Sequence, residues 1–282
     1  MKSVTSRPVP LPVLRGHPCF DEQAHDRVGR VHLPVAPRCN IQCAFCERRI
    51  CAHLTMQHPG WAERLLAPQE AAELVRRLVI AHPGEKFVVG VAGPGEPLEN
   101  LETFEALALV QQEHPSLVRC VSTNGLLLAE KLPQLLEVGV SALTVTVNAP
   151  DAEVGERIYA WVQYGGRAWR GAEGARILVE QQFRGIEAAL RSGLAVKVNT
   201  VLIPGVNDQH VARLAFRLRE LGVGLMNIMP LIPSGQMRGI PAPTCEELQR
   251  ARQACEAVIP QFRRCEHCRA DVVRFPHSAA SC

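Results

Sequence analysis

From about residue 31 onward the chain alternates apolar runs of strand length with longer amphipathic stretches, and this alternation limits its fold more than any other feature. Strands are read at Val31–Pro37, Lys86–Ala92, Leu117–Thr123, Val140–Asn148, Ala195–Ile203 and Val223–Pro230. Helical spacing falls between and after them, at Pro68–Ala81, Leu101–Glu113, Glu130–Val138, Gly174–Ser192, Asp208–Leu221 and Thr244–Val258. Thr244 followed three residues later by Glu247 predicts a capping box on the last helix. Alternation of this kind predicts parallel βαβ units. Six in a row predict an α/β chain folded as a partial (β/α)6 TIM-like barrel, with its chemistry at the carboxyl ends of the strands. An open doubly wound sheet is the competing architecture, and periodicity does not separate the two. The expected organisation is an N-terminal extension over 1–30, the barrel over 31–258 and a C-terminal tail over 259–282.

Composition narrows the class of function. The chain is 47% hydrophobic and 21% charged, which excludes wholesale disorder. A net charge of +3 is too mild to imply nucleic-acid binding. No apolar run approaches the roughly eighteen residues of a membrane span. The first twenty residues lack the apolar stretch and cleavage site of a secretory signal, so a cytoplasmic protein is expected.

Cysteine is the anomaly: eleven in 282 residues, an odd number, in a chain with no export signal. In a reducing compartment that argues against a disulfide framework and for metal or catalysis. Cys245 and Cys255 suit the bland reading of small buried hydrophobes. The run Cys39-Asn40-Ile41-Gln42-Cys43-Ala44-Phe45-Cys46 is different, a C-x3-C-x2-C cluster directly after a strand. Three thiolates so close together can grip one face of an iron–sulfur cluster. A four-iron cluster wants four ligands, so one iron is left open to a substrate. A structural zinc site would instead use paired C-x2-C or histidine ligands in a closed tetrahedron.

This spacing, with an aromatic residue before the last cysteine, resembles the radical S-adenosylmethionine (SAM) superfamily. The resemblance implies that Cys39, Cys43 and Cys46 hold a [4Fe–4S] cluster whose open iron chelates SAM, with Phe45 near the adenine. It implies that Gly93, Gly95 and Glu96 of the Gly93-Pro94-Gly95-Glu96-Pro97 turn approach the SAM amino group. Ser122, Thr123 and Asn124, at the end of the third strand, suit a ribose or carboxylate. Asn148 and Ile203, ending the fourth and fifth strands, complete the implied SAM contacts.

Five further cysteines look placed for metal: Cys19, Cys51, Cys120, Cys265 and Cys268. Cys265 and Cys268 form a C-x2-C pair beside Arg263, Arg264 and Arg269, which favour thiolate. Such a pair could also be half of a zinc site. Cys120 shares a strand face with Ser122, since side chains alternate with period two. The runs His17-Pro18-Cys19, His32 to Cys43, Ala92 to Leu98, Val196 to Asp208, Asn227 to Ile232 and Cys265 to Asp271 together resemble the nitrogenase-cofactor maturase family, in its stand-alone form. That resemblance implies two further four-iron clusters, K1 and K2, fused with a SAM-derived carbide and an added sulfur into an eight-iron precursor. It implies a lyase-type radical SAM enzyme that transfers the SAM methyl group first and abstracts hydrogen with a 5′-deoxyadenosyl radical second. Cys19, Cys51 and Cys120 match the K1 ligands and Cys265 with Cys268 the K2 ligands. Among His17, His25 and His32, His25 is the favoured histidine ligand of K1. Implied partners are SAM, iron–sulfur cluster donors and nitrogenase-cofactor carrier proteins, with no nucleic acid or membrane. One departure stands out: Leu54 occupies the place of a family glutamate, a role that either falls to Glu63 or a nearby histidine or is dispensable. Two alternatives stay open: a radical SAM enzyme acting on a peptide or small molecule, and a non-enzymatic cluster carrier.

Overall fold

The computed structural model describes residues 15–52, 58–265 and 267–276. In chain order it forms β1 (Gly29–His32), β2 (Ile41–Cys43), β3 (Arg49–Ile50), β4 (Trp61–Ala62), α1 (Pro68–Ala81), β5 (Phe87–Val91), α2 (Leu101–Glu113), β6 (Val118–Thr123), α3 (Leu128–Glu137), β7 (Val140–Thr146), α4 (Ala152–Gly155), β8 (Tyr159–Tyr164), β9 (Arg167–Trp169), α5 (Gly171–Arg191), β10 (Ala195–Leu202), α6 (Val211–Glu220), β11 (Leu225–Pro230), α7 (Cys245–Glu256) and β12 (Val273–Arg274). Each of the six expected strands and six expected helices has a counterpart. The first strand is shorter than expected because Pro34 and Pro37 bring no N–H to a ladder. The capping box on α7 forms as read, with Glu247 N–H donating to Thr244 Oγ1 and Thr244 N–H to Glu247 Oε2.

The main sheet runs β11-β10-β7-β6-β5-β1-β12. Its first six strands are parallel and adjacent in chain order, from β1 through β5, β6, β7 and β10 to β11. A doubly wound sheet would reverse its order at a switch point. None occurs, so the sheet is a curled partial barrel. Along its strands Val89, Val121, Leu143, Val145, Val196 and Val198 face outward into one apolar core shared with the helices. The alternate positions Gly90, Cys120, Ser122, Thr144, Lys197 and Asn199 face inward around a cavity. The outer face holds the fold together, at about 1.5–3 kcal/mol per fully buried aliphatic side chain. The inner face is left small and polar.

Both ends of the described chain close this barrel. Phe20 of the N-terminal segment packs on Ala142 and Ala195, inside the barrel near the starts of β7 and β10. At the other end, Phe262 N–H donates to Met226 O of β11, and β12 pairs antiparallel with β1. Phe262 thus lies at the β11 edge of the sheet and Val273 at the β1 edge. An element with no counterpart in the expectation is the hairpin β8–β9, which joins β2 in a separate three-stranded sheet. Its turn is Gly165-Gly166, both with positive φ as a tight hairpin requires. No described helix is long and apolar enough to cross a membrane.

Leu143 lies wholly buried at the centre of the outer core. Leu143→Ala is expected to cost about 2–5 kcal/mol, read as a lower denaturant midpoint with an unchanged slope.

Candidate functional site

The cysteine segment that follows β1 is held on three sides by backbone. β2, inside the Cys39–Cys46 run, pairs antiparallel with β8, with a bulge between Gln42 and Cys43. Ala44 N–H donates to Ile158 O, and Ala44 O accepts from Gln236 N–H at 2.7 Å. From the third side, Gly95 N–H donates to Ala36 O at 2.6 Å and Glu96 N–H to Arg38 O at 2.8 Å. A Cβ on Gly95 would lie 2.2 Å from the Arg38 carbonyl oxygen, so only glycine permits this approach.

Cys39, Cys43, Cys46 and Phe45 line one cavity of about 210 Å³ with Gly95, Glu96, Ser122, Thr123 and Asn124. Ile41, Val201 and Met229 supply its apolar wall. Glu96 is the buried acid of this site, 3% exposed. It accepts from Thr123 Oγ1 at 2.5 Å, Asn124 N–H at 2.7 Å and Leu98 N–H at 3.1 Å. Burial nonetheless outweighs these donors and lifts its pKa to about 7. Asn124 continues the chain by donating to Asn40 Oδ1 at 2.7 Å, which ties the end of β6 to the cysteine loop. Burial and then Glu96 push the Cys39 thiol up to about 11, and burial raises Cys43 and Cys46 as well. Unloaded, the three are thiols; a metal must displace their protons.

A second chamber of about 160 Å³ adjoins the first, sharing Ala92, Ser122, Thr146 and Met229 with it. Cys19, Cys120, Cys265 and Cys268 all face it, brought from the N-terminal segment, β6 and the tail. A Cβ on Gly90 would meet Cys120 Sγ at 2.8 Å, so the strand glycine makes room for that thiol. Arg30, on β1, donates to Cys268 Sγ at 3.7 Å.

Not every expected residue converges. Gly93, Asn148 and Ile203 line neither cavity. Asn148 instead accepts from Val201 N–H, and Ile203 packs in the apolar cluster that Cys39, Cys43 and Phe45 adjoin. His25 is drawn away from the chamber, one ring nitrogen bonded to Pro18 O and the other to Arg30. His17, His32 and His267 are the histidines that line it. Cys51 is exposed beside β3 and lines neither cavity. Leu54 and Cys282 lie outside the described residues. Sequence reasoning passed over Lys197 and Arg30, both inward and under 4% exposed; their alternation with outward valines on β10 and β1 was the available signal.

All ten described cysteines are free. Among the described residues no three histidine, cysteine or acidic side chains converge on a point where one metal ion could sit. The thiols ring wider spaces instead, a donor set suited to multi-iron clusters, which are held by cysteine thiolates. The first cavity pairs three such thiols with a polar ledge and an apolar wall, the features a nucleotide-bearing ligand requires.

Three comparisons bear on this site. The model of the radical SAM superfamily matches residues 33–218. The FeMo cofactor biosynthesis protein NifB of Methanocaldococcus infernus is 45% identical over 261 residues, covering 93% of this chain and 86% of that protein. Its namesake from Methanocaldococcus jannaschii is 47% identical over 261 residues, with the same coverage. Among solved structures, a radical SAM methyltransferase from Sphaerobacter thermophilus superposes with a TM-score of 0.53 at 23% identity, covering 84% of this chain and 65% of that one. At that identity the likeness concerns the fold alone.

Glu96 makes the unloaded protein sensitive to pH. Its folded pKa of about 7 stands above the ordinary 4.5, so the folded chain keeps a proton that the unfolded chain gives up. Its contribution is present in full below about pH 4.5 and is lost as pH rises through about 7, by up to about 3 kcal/mol. Denaturant titrations at successive pH values are expected to show this fall in the wild-type chain and to lack it in Glu96→Gln.

Proposed function

The chain belongs to the radical SAM superfamily and, within it, to the NifB family of FeMo cofactor biosynthesis proteins, and from that premise we propose that it builds the iron–sulfur precursor of the nitrogenase cofactor. In this reading two four-iron clusters are the substrates. They are joined, with one carbon from SAM and an added sulfur, into an eight-iron product. The observation that carries it is the adjacency of the two cavities: a cleft with three thiols, a polar ledge and an apolar wall adjoins a chamber with four more thiols. A radical SAM enzyme acting on an organic substrate has no need of thiols brought there from both ends of its chain.

When bound, a [4Fe–4S] cluster at Cys39, Cys43 and Cys46 supplies the electron and SAM the methyl carbon and the deoxyadenosyl group. The chain's own residues bind, orient and shield. Glu96, held by Thr123 and Asn124, presents a carboxyl at the polar ledge, where it can accept from the SAM amino group. Phe45, Ile41, Val201 and Met229 exclude water from the adenosyl side. In the chamber, Cys19, Cys120, Cys265 and Cys268 hold the substrate clusters by an incomplete set of thiolates. That incompleteness has a chemical purpose, because clusters that must fuse and leave cannot be fully locked in place. Proteins that deliver four-iron clusters and carriers that accept the product are the partner classes this function requires.

Anaerobic reconstitution is expected to load about twelve irons per chain, four for each of three clusters, and dithionite reduction with SAM to release 5′-deoxyadenosine. Uptake below about eight irons, or intact SAM after reduction, would sink the reading. Cys43→Ala is expected to abolish both methyl transfer and deoxyadenosine formation. Cys268→Ala is expected to keep SAM binding and lose methyl transfer; full product from that variant would remove the tail pair from the site.

A further inference from the structure

Lys197 stands on β10 with its side chain turned into the barrel and only 3% exposed. A lysine buried to that extent is ordinarily paired with a carboxylate. Among the described residues that line the chamber there is no aspartate or glutamate. The Lys197 ammonium donates to Cys19 O at 2.8 Å and lies 4.7 Å from the centre of the Phe262 ring and 5.4 Å from that of Phe20. Aromatic faces offset part of the cost of burying a cation, and none of its charge.

His17 presents the same imbalance. Its side chain is 2% exposed, and Nδ1 accepts from Cys19 N–H at 3.1 Å. The proton of the neutral ring therefore sits on Nε2, which is buried on the chamber wall with no partner among the described residues. Two donors, one of them charged, thus face a chamber with no carboxylate among its described lining residues to balance that charge. What completes it must be rich in acceptors and must tolerate, or gain, negative charge.

We propose that Lys197 is the fixed countercharge of the iron–sulfur substrate bound in this chamber and raises its reduction potential, while His17 donates a hydrogen bond from Nε2 to one of its sulfurs. This rests on the reading above, in which clusters occupy the chamber. Neither side chain is an iron ligand: a protonated ammonium has no lone pair, and the lone pair of His17 is committed to Cys19 N–H. Each electron that enters the occupant adds a negative charge, and a cation held nearby in a low-dielectric interior favours that state. Net charge and hydrogen bonds to sulfur are the terms by which a protein sets the potential of such clusters. The same ammonium donates to Cys19 O, so the charge sits beside one of the chamber thiols.

The test uses the full chain, reconstituted anaerobically with iron and sulfide and titrated with reductant while electron paramagnetic resonance follows each cluster. Lys197→Met removes the charge and keeps the apolar stem; Lys197→Arg keeps the charge. In Lys197→Met the reduced-to-oxidised ratio of the chamber cluster at fixed potential is expected to fall about tenfold, a shift of about 59 mV for one electron. The cluster at Cys39, Cys43 and Cys46 should stay unchanged, and Lys197→Arg should restore the wild-type ratio. An unchanged ratio in Lys197→Met overturns the proposal. If that variant takes up no chamber iron, thermal unfolding of the unloaded protein decides. A Tm equal to or above wild type supports the countercharge role, since an unpaired buried charge has been removed; a lower Tm makes Lys197 a structural brace and overturns it. For His17, pulsed resonance on protein carrying 15N-histidine should show no loss of a directly bound nitrogen in His17→Gln, and such a loss would overturn the donor role. Wild-type protein that loads no chamber cluster defeats the functional reading itself, a failure seen before any substitution is made.

Discussion

The buried carboxyl of Glu96 is the interaction on which the site depends. One side chain gathers a hydroxyl from Thr123, a backbone N–H from Asn124 and another from Leu98, and so joins the end of β5 to the end of β6. Asn124 then reaches Asn40, and Asn100 caps the Arg38 and Glu96 carbonyls from the other side. A carboxyl in that position is costly to bury and costly to lose, because each of its donors would be left without an acceptor. The three-cysteine loop takes its position relative to the strand ends from this network.

The barrel divides its labour between its two faces. Outward valines and leucines pack on the helices and carry the stability of the fold. Inward positions are small or polar, and two of them hold buried cations, Arg30 and Lys197. A core filled inside as well as outside would be more stable and would have no chamber. Phe20 and the described residues between Gln261 and Val273 instead close the barrel, and so bring Cys19, Cys265 and Cys268 to one space.

Much of this was legible before the fold was known. Strand and helix periodicity placed twelve elements because burial on one face imposes a repeat that local sequence must carry. The C-x3-C-x2-C run announced itself because its ligands are neighbours in the chain. The Gly165-Gly166 hairpin was also written locally, in alternating residues around a two-glycine turn, and was passed over. Gly95 was legible as a close approach but not as an approach to the backbone of the cysteine loop, which lies more than fifty residues away.

What the sequence by itself determined, then, is the parallel α/β architecture and the family chemistry of one short loop, since both are encoded at separations of a few residues. Only the tertiary structure decided which distant thiols share a chamber, that His25 turns from it while His17, His32 and His267 face it, and that Lys197 stands among them with no carboxylate among the described lining residues. Those outcomes depend on how strands curl and where the chain ends cross, through contacts between residues up to some 240 positions apart, such as Arg30 with Cys268. Periodicity cannot encode them, because it specifies which face of an element is buried and not what lies opposite.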